Sequence, residues 1–230
     1  MTSKRGDALT SETRSRRFYL VRHGTTDWNS EGRMQGHTDV PLNEEGREQA
    51  RRVAVRIASL PEPPAAVWSS DLARARVTAT TIAEALGVPV QATPDLRETM
   101  LGLWEGLNHA EIVARGDGEL LQKYLHDSYT YRPPEGESLN SMWARMLGAQ
   151  DRIRKEHPEG SVVIVAHGSC LRSLICATLD APVPAMRAMW LDNASLSILH
   201  EMDKPVGRTK AVVLLNDVSH LTRATGAPLE

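Results

Sequence analysis

The chain is poor in aromatic bulk and in sulfur. One phenylalanine and two cysteines occur among 230 residues, and Phe, Trp and Tyr together supply 4%. So few cysteines exclude a disulfide scaffold. Cys170 and Cys176 fall on one expected helix but off a common face, so they do not bridge within it. Neither has the paired Cys/His spacing of a zinc site, and no metal is expected. They read as buried thiols in a reducing cytosol, and a cytoplasmic location is expected. No apolar stretch approaches the ~20 residues of a membrane span, so no membrane partner is expected. The opening "MTSKRGDALTSETRSRR" lacks the apolar segment of a secretory signal and reads as a disordered tail over residues 1–17. An excess of one charge is also missing: Lys+Arg 27 against Asp+Glu 29 leaves a formal net charge of -2. Nucleic-acid binders carry a strong basic excess. A small molecule is therefore the expected partner, and any anion site must be a local cluster of arginines.

What the chain does have is alternation. "FYLV" reads as a buried strand. "NEEGREQARRVAVRIASL" places Ala50, Val53, Ala54 and Ile57 on one helical face, with Asn43 as N-cap. "AAVWSS" is a short strand, and "DLARARVTATTIAEALG" follows as a helix capped by Ser70 and stopped by Gly87. "VPVQAT" is a further strand. Residues 105–132 are expected to be mostly helical, and a long helix enters through the Pro/Gly turn of "PPEGESLNSMWARMLGAQDRIRKEH". "SVVIVAH" is the most apolar strand and leads into a helix over 169–179. "ASLSILHEM" and "KAVVLLND" close the chain as a hairpin at one edge. Continuous apolar strands alternating with helices predict an α/β fold. The expected architecture is a three-layer sandwich: a mostly parallel central sheet, helices on both faces, an antiparallel edge strand. No internal repeat or long linker divides it, so one domain is expected over 18–222, with a flexible C-terminus over 223–230.

Two of these strands end alike, in "VRHG" and "VAHG". In a parallel sheet the site lies beyond the carboxyl ends of the strands, where the chain order reverses. Both imidazoles, His23 and His167, are expected in that crevice. Arg22 precedes the first, and Gly24 allows close backbone approach. Arg74 falls in the first turn of a helix that opens right after a strand, which suits an anion. Glu98 follows the strand near residue 90, and Gly168 or Ser169 offers a free backbone N–H. Two arginines and two imidazoles fit a phosphoryl group, whose oxygens accept bidentate and single donors together. A neutral His23 can attack phosphorus to give a phosphohistidine, because neighbouring positive charge lowers its pKa. Glu98 then suits the acid that protonates the leaving alkoxide and later the base that activates water. A serine hydrolase would need Gly-x-Ser-x-Gly around Ser169, where Ala166 and Leu171 stand instead. A catalytically dead phosphoester-binding module would have lost the nucleophile or the acid, and both are present.

"LVRHGTTDWNSEGRMQGHTDVPLNEEGREQA", "WSSDLARARVTA", "LRETMLGLWEG" and "VVIVAHGSCLR" together resemble the histidine phosphatase superfamily, also called phosphoglycerate mutase-like. The resemblance runs from about Phe18 to Leu221. It implies that His23 is the phosphorylated nucleophile and Glu98 the proton donor, with Arg22, Arg74 and His167 holding the phosphate and Asn29 assisting. It places Gln35 and Gly36 where the family's flexible loop meets the substrate, implies no cofactor, and makes a homodimer plausible. The mutase pattern follows its glutamate with Arg-His-Tyr, where this chain has Thr99, Met100 and Leu101. It also has a lysine where His109 stands, and an arginine pair where His126 and Asp127 stand. A mutase must retain a bisphosphate, which needs a second anion clamp. The expected function is therefore a metal-independent phosphomonoesterase acting on a small organic phosphate ester, nearest the broad-specificity phosphatase branch that "LLNDVSHL" also resembles. A bisphosphoglycerate-dependent phosphoglycerate mutase is the alternative. The wall facing the leaving group is expected from Met34, Gln35, residues 99–103 and the helices of 107–132. There Met100, Leu101, Trp104, Tyr124, Tyr129 and Tyr131 would make it apolar and aromatic.

Overall fold

The computed structural model describes residues 14–204 and 206–221. In chain order the elements are β1 (Arg14–Arg22), α1 (Asp27–Ser30), α2 (Glu44–Ala58), β2 (Ala66–Ser70), α3 (Ala73–Leu86) and β3 (Val90–Thr93). Then come α4 (His109–Ile112), α5 (Gly118–His126), α6 (Leu139–Glu156), β4 (Gly160–Ala166), α7 (Gly168–Thr178), β5 (Leu196–Asp203) and β6 (Arg208–Asp217). The strands form one sheet in the order β3-β2-β4-β1-β5-β6. β3, β2, β4 and β1 are parallel, and β5 and β6 continue the sheet as an antiparallel hairpin. This is the mostly parallel α/β sheet expected, with its antiparallel part at the edge.

Successive side chains of a strand point to opposite faces. Phe18 and Leu20 of β1 therefore pack with α6 and α7 on one side. Tyr19 and Val21 pack with α2 and α3 on the other. Both faces are covered, which is why "FYLV" carries no charged residue. The spacing of Ala50, Val53, Ala54 and Ile57 delivers all four into the core, and Asn43 accepts from Gly46 N as the N-cap. A third cluster of Trp104, Ile112 and Leu121 draws together the segment between β3 and α6.

Several boundaries differ from expectation. β1 begins at Arg14, so residues 14–17 are strand, not disordered tail; Arg16 and Arg17 already pair with Gly160 and Ser161. The rest of that tail, residues 1–13, and the expected flexible C-terminus at 223–230 lie outside the described residues. Leu72, not Ser70, is the N-cap of α3; the Ser70 hydroxyl accepts from Leu72 N, and Asp39 Oδ1 accepts from Ala73 N at 2.6 Å. That cap comes from a loop more than thirty residues upstream, so no local spacing announces it. Helix α5 ends at His126, and a π turn over Val113–Asp117 interrupts the segment at Gly116, whose φ is 100°.

The first turn of α2 seats the loop after β1. A Cβ on Gly46 would stand 2.0 Å from Thr25 O, and one on Gly24 would stand 2.4 Å from Gly46 O. Asn43 N donates to Thr25 O at 3.1 Å, and Thr25 N donates to Gln49 Oε1 at 2.9 Å. Backbone packs directly on backbone there, so neither glycine has a flexible neighbour to yield. Gly46→Ala is expected to cost ~1–3 kcal/mol, read as a lower midpoint in chemical denaturation. An unchanged midpoint would show that the loop does not lean on α2.

Candidate active site

β1 and β4 are neighbours in the register Arg22↔Ala166, so the residues after them emerge side by side. The rings of His23 and His167 lie 5.1 Å apart, centroid to centroid, and His23 N donates to Ala166 O at 3.0 Å. His23 Nδ1 is 2.7 Å from Gly24 O. A carbonyl can only accept, so Nδ1 carries the proton and Nε2 keeps its lone pair. Burial first, then the charges of Arg74 and Arg22, hold the His23 pKa well below the usual histidine value. His167 is held low in the same way, by burial and then by Arg74, His23 and Arg22. Among the described residues neither of its ring nitrogens has a hydrogen-bond partner.

The cations around this pair are hydrogen-bonded to carbonyls, not to carboxylates, among the described residues. Arg74 donates from Nη1 to Thr38 O at 2.8 Å and from Nη2 to Gly36 O at 2.7 Å, while its Nε has no partner among the described residues. Burial lowers its pKa to about 10, so it remains charged at neutral pH. Arg22 donates from Nη1 to Leu191 O, and its buried Nε likewise has no partner among the described residues. The N-terminus of α3 is not the open anion site that the sequence suggests, because Asp39 already occupies Ala73 N.

Glu98 accepts from Thr99 N at 2.8 Å on Oε1 and from Ser169 N at 3.1 Å on Oε2. Ser169 N is thus not free. A Cβ built on Gly168 would touch Arg22 Nε at 3.7 Å and Glu98 Oε2 at 4.0 Å, so this glycine sits between the two. Asn29 Oδ1 accepts from Thr26 N and Oγ1, which leaves its Nδ2 for a ligand. Gln35 is buried, and its Oε1 has no partner among the described residues. Gly36 has φ 52°, and a Cβ there would stand 2.1 Å from Glu105 Oε1. Arg22, His23, Asn29, Gln35, Gly36, Arg74, Glu98, His167 and Gly168 all line one cleft of about 290 Å³. Gly24 lies behind His23, holding its ring nitrogen.

The leaving-group wall differs from expectation. Met34, Leu101 and Tyr124 line the cleft, but Met100, Tyr129 and Tyr131 do not. Trp104 is fully buried in its own cluster, because its indole N–H is satisfied by Asp117 and its ring packs edge-on against Tyr124. His126 and Asp127 line cavities beside Pro184, so their identity says nothing about an anion clamp in the cleft. Sequence reasoning missed Arg33, Arg172, Trp190 and Leu191, which do line it. It also missed two positioning residues. Glu105 accepts from His37 N, Thr38 N, Thr38 Oγ1 and Leu101 N, pinning the loop that carries Gln35 and Gly36. Asn193 Nδ2 donates to His23 O at 3.0 Å. A glutamate between glycines in "GLWEG" was the only local hint of the first; nothing local hints at the second.

A central parallel sheet with paired His-Gly ends, two carbonyl-anchored arginines and a facing glutamate defines the class. The chain belongs to the histidine phosphatase superfamily, branch 1, whose family model matches residues 18–217. It is 35% identical over 204 residues to a protein of Cronobacter sakazakii named probable phosphoglycerate mutase, covering 88% of this chain and 94% of that one. It is 31% identical over 205 residues to phosphoserine phosphatase 1 of Hydrogenobacter thermophilus, covering 89% and 94%. Among solved structures, a mycobacterial glucosyl-3-phosphoglycerate phosphatase in complex with VO3 superposes with a TM-score of 0.78 at 35% identity, covering 87% of this chain and 99% of that chain. Among the described residues no helix is long and apolar enough to cross a membrane.

The two buried imidazoles predict an acid-side instability. Their folded pKa values lie below the unfolded value of about 6.5, so the unfolded chain takes up protons first as pH falls. Their contribution is fully present above about pH 6.5 and is lost progressively below it. Thermal melting between pH 7 and 5 should show this fall, and His167→Asn should make it shallower. An equally steep fall in the variant would assign the effect elsewhere.

Proposed function

We propose that the chain is a metal-independent phosphomonoesterase working through a phosphohistidine on His23. The observation that carries this is the state of His23: a neutral imidazole whose tautomer is set by Gly24 O, ringed by buried donors that have no partner among the described residues. Arg22 Nε, Arg74 Nε and an N–H of His167 are donors suited to the phosphoryl oxygens, with Asn29 Nδ2 and Gly168 N–H beside them. His23 Nε2 attacks phosphorus, forming the P–N bond as the P–O bond to the leaving group breaks. Glu98 gives its proton to the departing alkoxide. The resulting carboxylate then takes a proton from water, whose oxygen bonds to phosphorus as the P–N bond breaks. Phosphate and neutral His23 are regenerated, and Glu98 is again the acid.

Metal independence is part of the proposal because the donors gathered here are cations and imidazoles, which disfavour a further cation. Two buried free thiols, Cys170 and Cys176, support a reducing, cytoplasmic setting. A small-molecule phosphate ester is the partner proposed, and a homodimer is compatible with it.

Purified protein with EDTA should release phosphate from p-nitrophenyl phosphate. His23→Ala should abolish release, and Glu98→Gln should lower kcat for an alkyl phosphate by ~10²–10⁴-fold. Rapid bisphosphoglycerate-dependent interconversion of 3- and 2-phosphoglycerate, with little hydrolysis, would overturn the phosphatase reading in favour of the mutase. Phosphate release surviving in His23→Ala would remove the phosphohistidine.

A further inference from the structure

His23 and His167 each stand directly after a strand, so the sheet aims them. Glu98 does not: it lies past the end of β3 and past a 3₁₀ turn over Pro94–Leu96. Beyond β3 the carbonyls of this segment need donors from elsewhere. Arg145 of α6 supplies them. Its Nη1 donates to Asp95 O at 3.0 Å and to Arg97 O at 2.7 Å, and its Nη2 donates to Glu98 O at 3.2 Å. One planar guanidinium thus gathers three carbonyls, a reach that its fixed fork of donors allows.

The same Nη2 donates to Glu137 Oε1 at 2.6 Å. The two side chains are 20% and 16% exposed, so the pair is largely shielded from water. That Glu137 oxygen also accepts from Met100 N at 2.9 Å, and Glu137 N donates to Met100 O at 2.9 Å. The backbone is therefore fixed on both sides of Glu98. Glu98 O takes a second donor, the His37 ring, whose Nε2 is 2.8 Å away. A carbonyl only accepts, so that nitrogen carries the proton.

Arg145 meets the main chain of Glu98, while the Glu98 carboxyl accepts from Thr99 N and Ser169 N instead. That separation has a chemical use. An arginine paired with the carboxyl would favour its ionised form, which has no proton to give. With Glu137 as its counter-ion, Arg145 holds the acid by its backbone and does not compete for its carboxyl oxygens.

We propose that Arg145, held by Glu137, is a positioning residue for the proton transfer: it fixes the backbone from which the Glu98 carboxyl reaches the leaving oxygen. This rests on the phosphomonoesterase reading and adds to it the residue that aims the acid.

The test uses leaving groups that differ in their need for a proton. p-Nitrophenolate departs without one, whereas the alkoxide of glycerol 2-phosphate does not. The quantity compared is kcat/KM, which runs from free enzyme to the transition state of the first phosphoryl transfer, where Glu98 acts as acid. Arg145→Gln is expected to lower it by about 10–100-fold for glycerol 2-phosphate and by about threefold or less for p-nitrophenyl phosphate. Arg145→Lys, a point donor that does not span three carbonyls, should recover only part of the loss. In a Glu98→Gln background, Arg145→Gln should cost little more with glycerol 2-phosphate, because the acid it aims is already gone. If Arg145→Gln does not fold, Glu137→Gln carries the same comparison and should show the same preference more weakly. Equal losses on both esters, or none on either, would overturn the proposal, and so would a full additional loss in the Glu98→Gln background. Hydrolysis of neither ester by the unmodified protein would overturn the phosphatase reading, and this proposal with it.

Discussion

The cleft depends on one backbone pairing, β1 beside β4, parallel, with Arg22 opposite Ala166. Because the two strands run the same way and end at the same level, each delivers the residue after its last rung into the same space. A shift of one residue would turn one imidazole to the other face of the sheet. The helices that follow leave on opposite sides, α2 packing with Tyr19 and Val21 and α7 with Phe18 and Leu20. That divergence opens the crevice, and its floor is apolar on both sides. The chemistry is thus held by elements whose own packing has nothing to do with phosphate.

Electrostatics in the cleft runs against the usual tendency of buried charges to pair. Arg22 and Arg74 are buried and anchored through carbonyl oxygens, not carboxylates. Glu98 is held by backbone N–H groups from Thr99 and Ser169. Burial first, and then the guanidinium charges, keep the two histidines neutral. A dianion entering the cleft meets donors that need little reorganisation, which is the condition under which electrostatic stabilisation is largest.

Much of the fold was legible because it rests on local periodicity. "FYLV" and "VVIVA" announce strands covered on both faces, and the spacing of Ala50, Val53, Ala54 and Ile57 announces the helix between them. The pairing of the two His-Gly ends followed from topology, since parallel strands present like ends together. The illegible parts are those set by contacts across many residues. Asp39 caps a helix it does not adjoin, Asn193 reaches back to His23 O, and Glu105 braces a loop some seventy positions upstream. None of these carries a periodic or spacing signal. The aromatic wall failed for a related reason: Trp104 and Tyr124 look alike in sequence, but one satisfies its N–H against Asp117 and disappears into the core, while the other lines the cleft. Arg172 was visible within "HGSCLR", yet nothing local shows that it lines the cleft.

Arg74 spends both terminal nitrogens on Gly36 O and Thr38 O, so the strap formed by residues 35–39 and this side chain hold each other in place. Asp39, at the end of the same strap, grips the helix that bears Arg74. An anion drawing on Arg74 Nε would bind best when the strap is seated. By reciprocity, an anion that favours the seated strap must suppress its excursions to the same extent. Amide exchange at Gly36–Thr38 would then slow on ligation even where the ligand touches none of those peptides. The strap is in this sense a gauge of occupancy, coupled to the cleft by the Arg74 side chain.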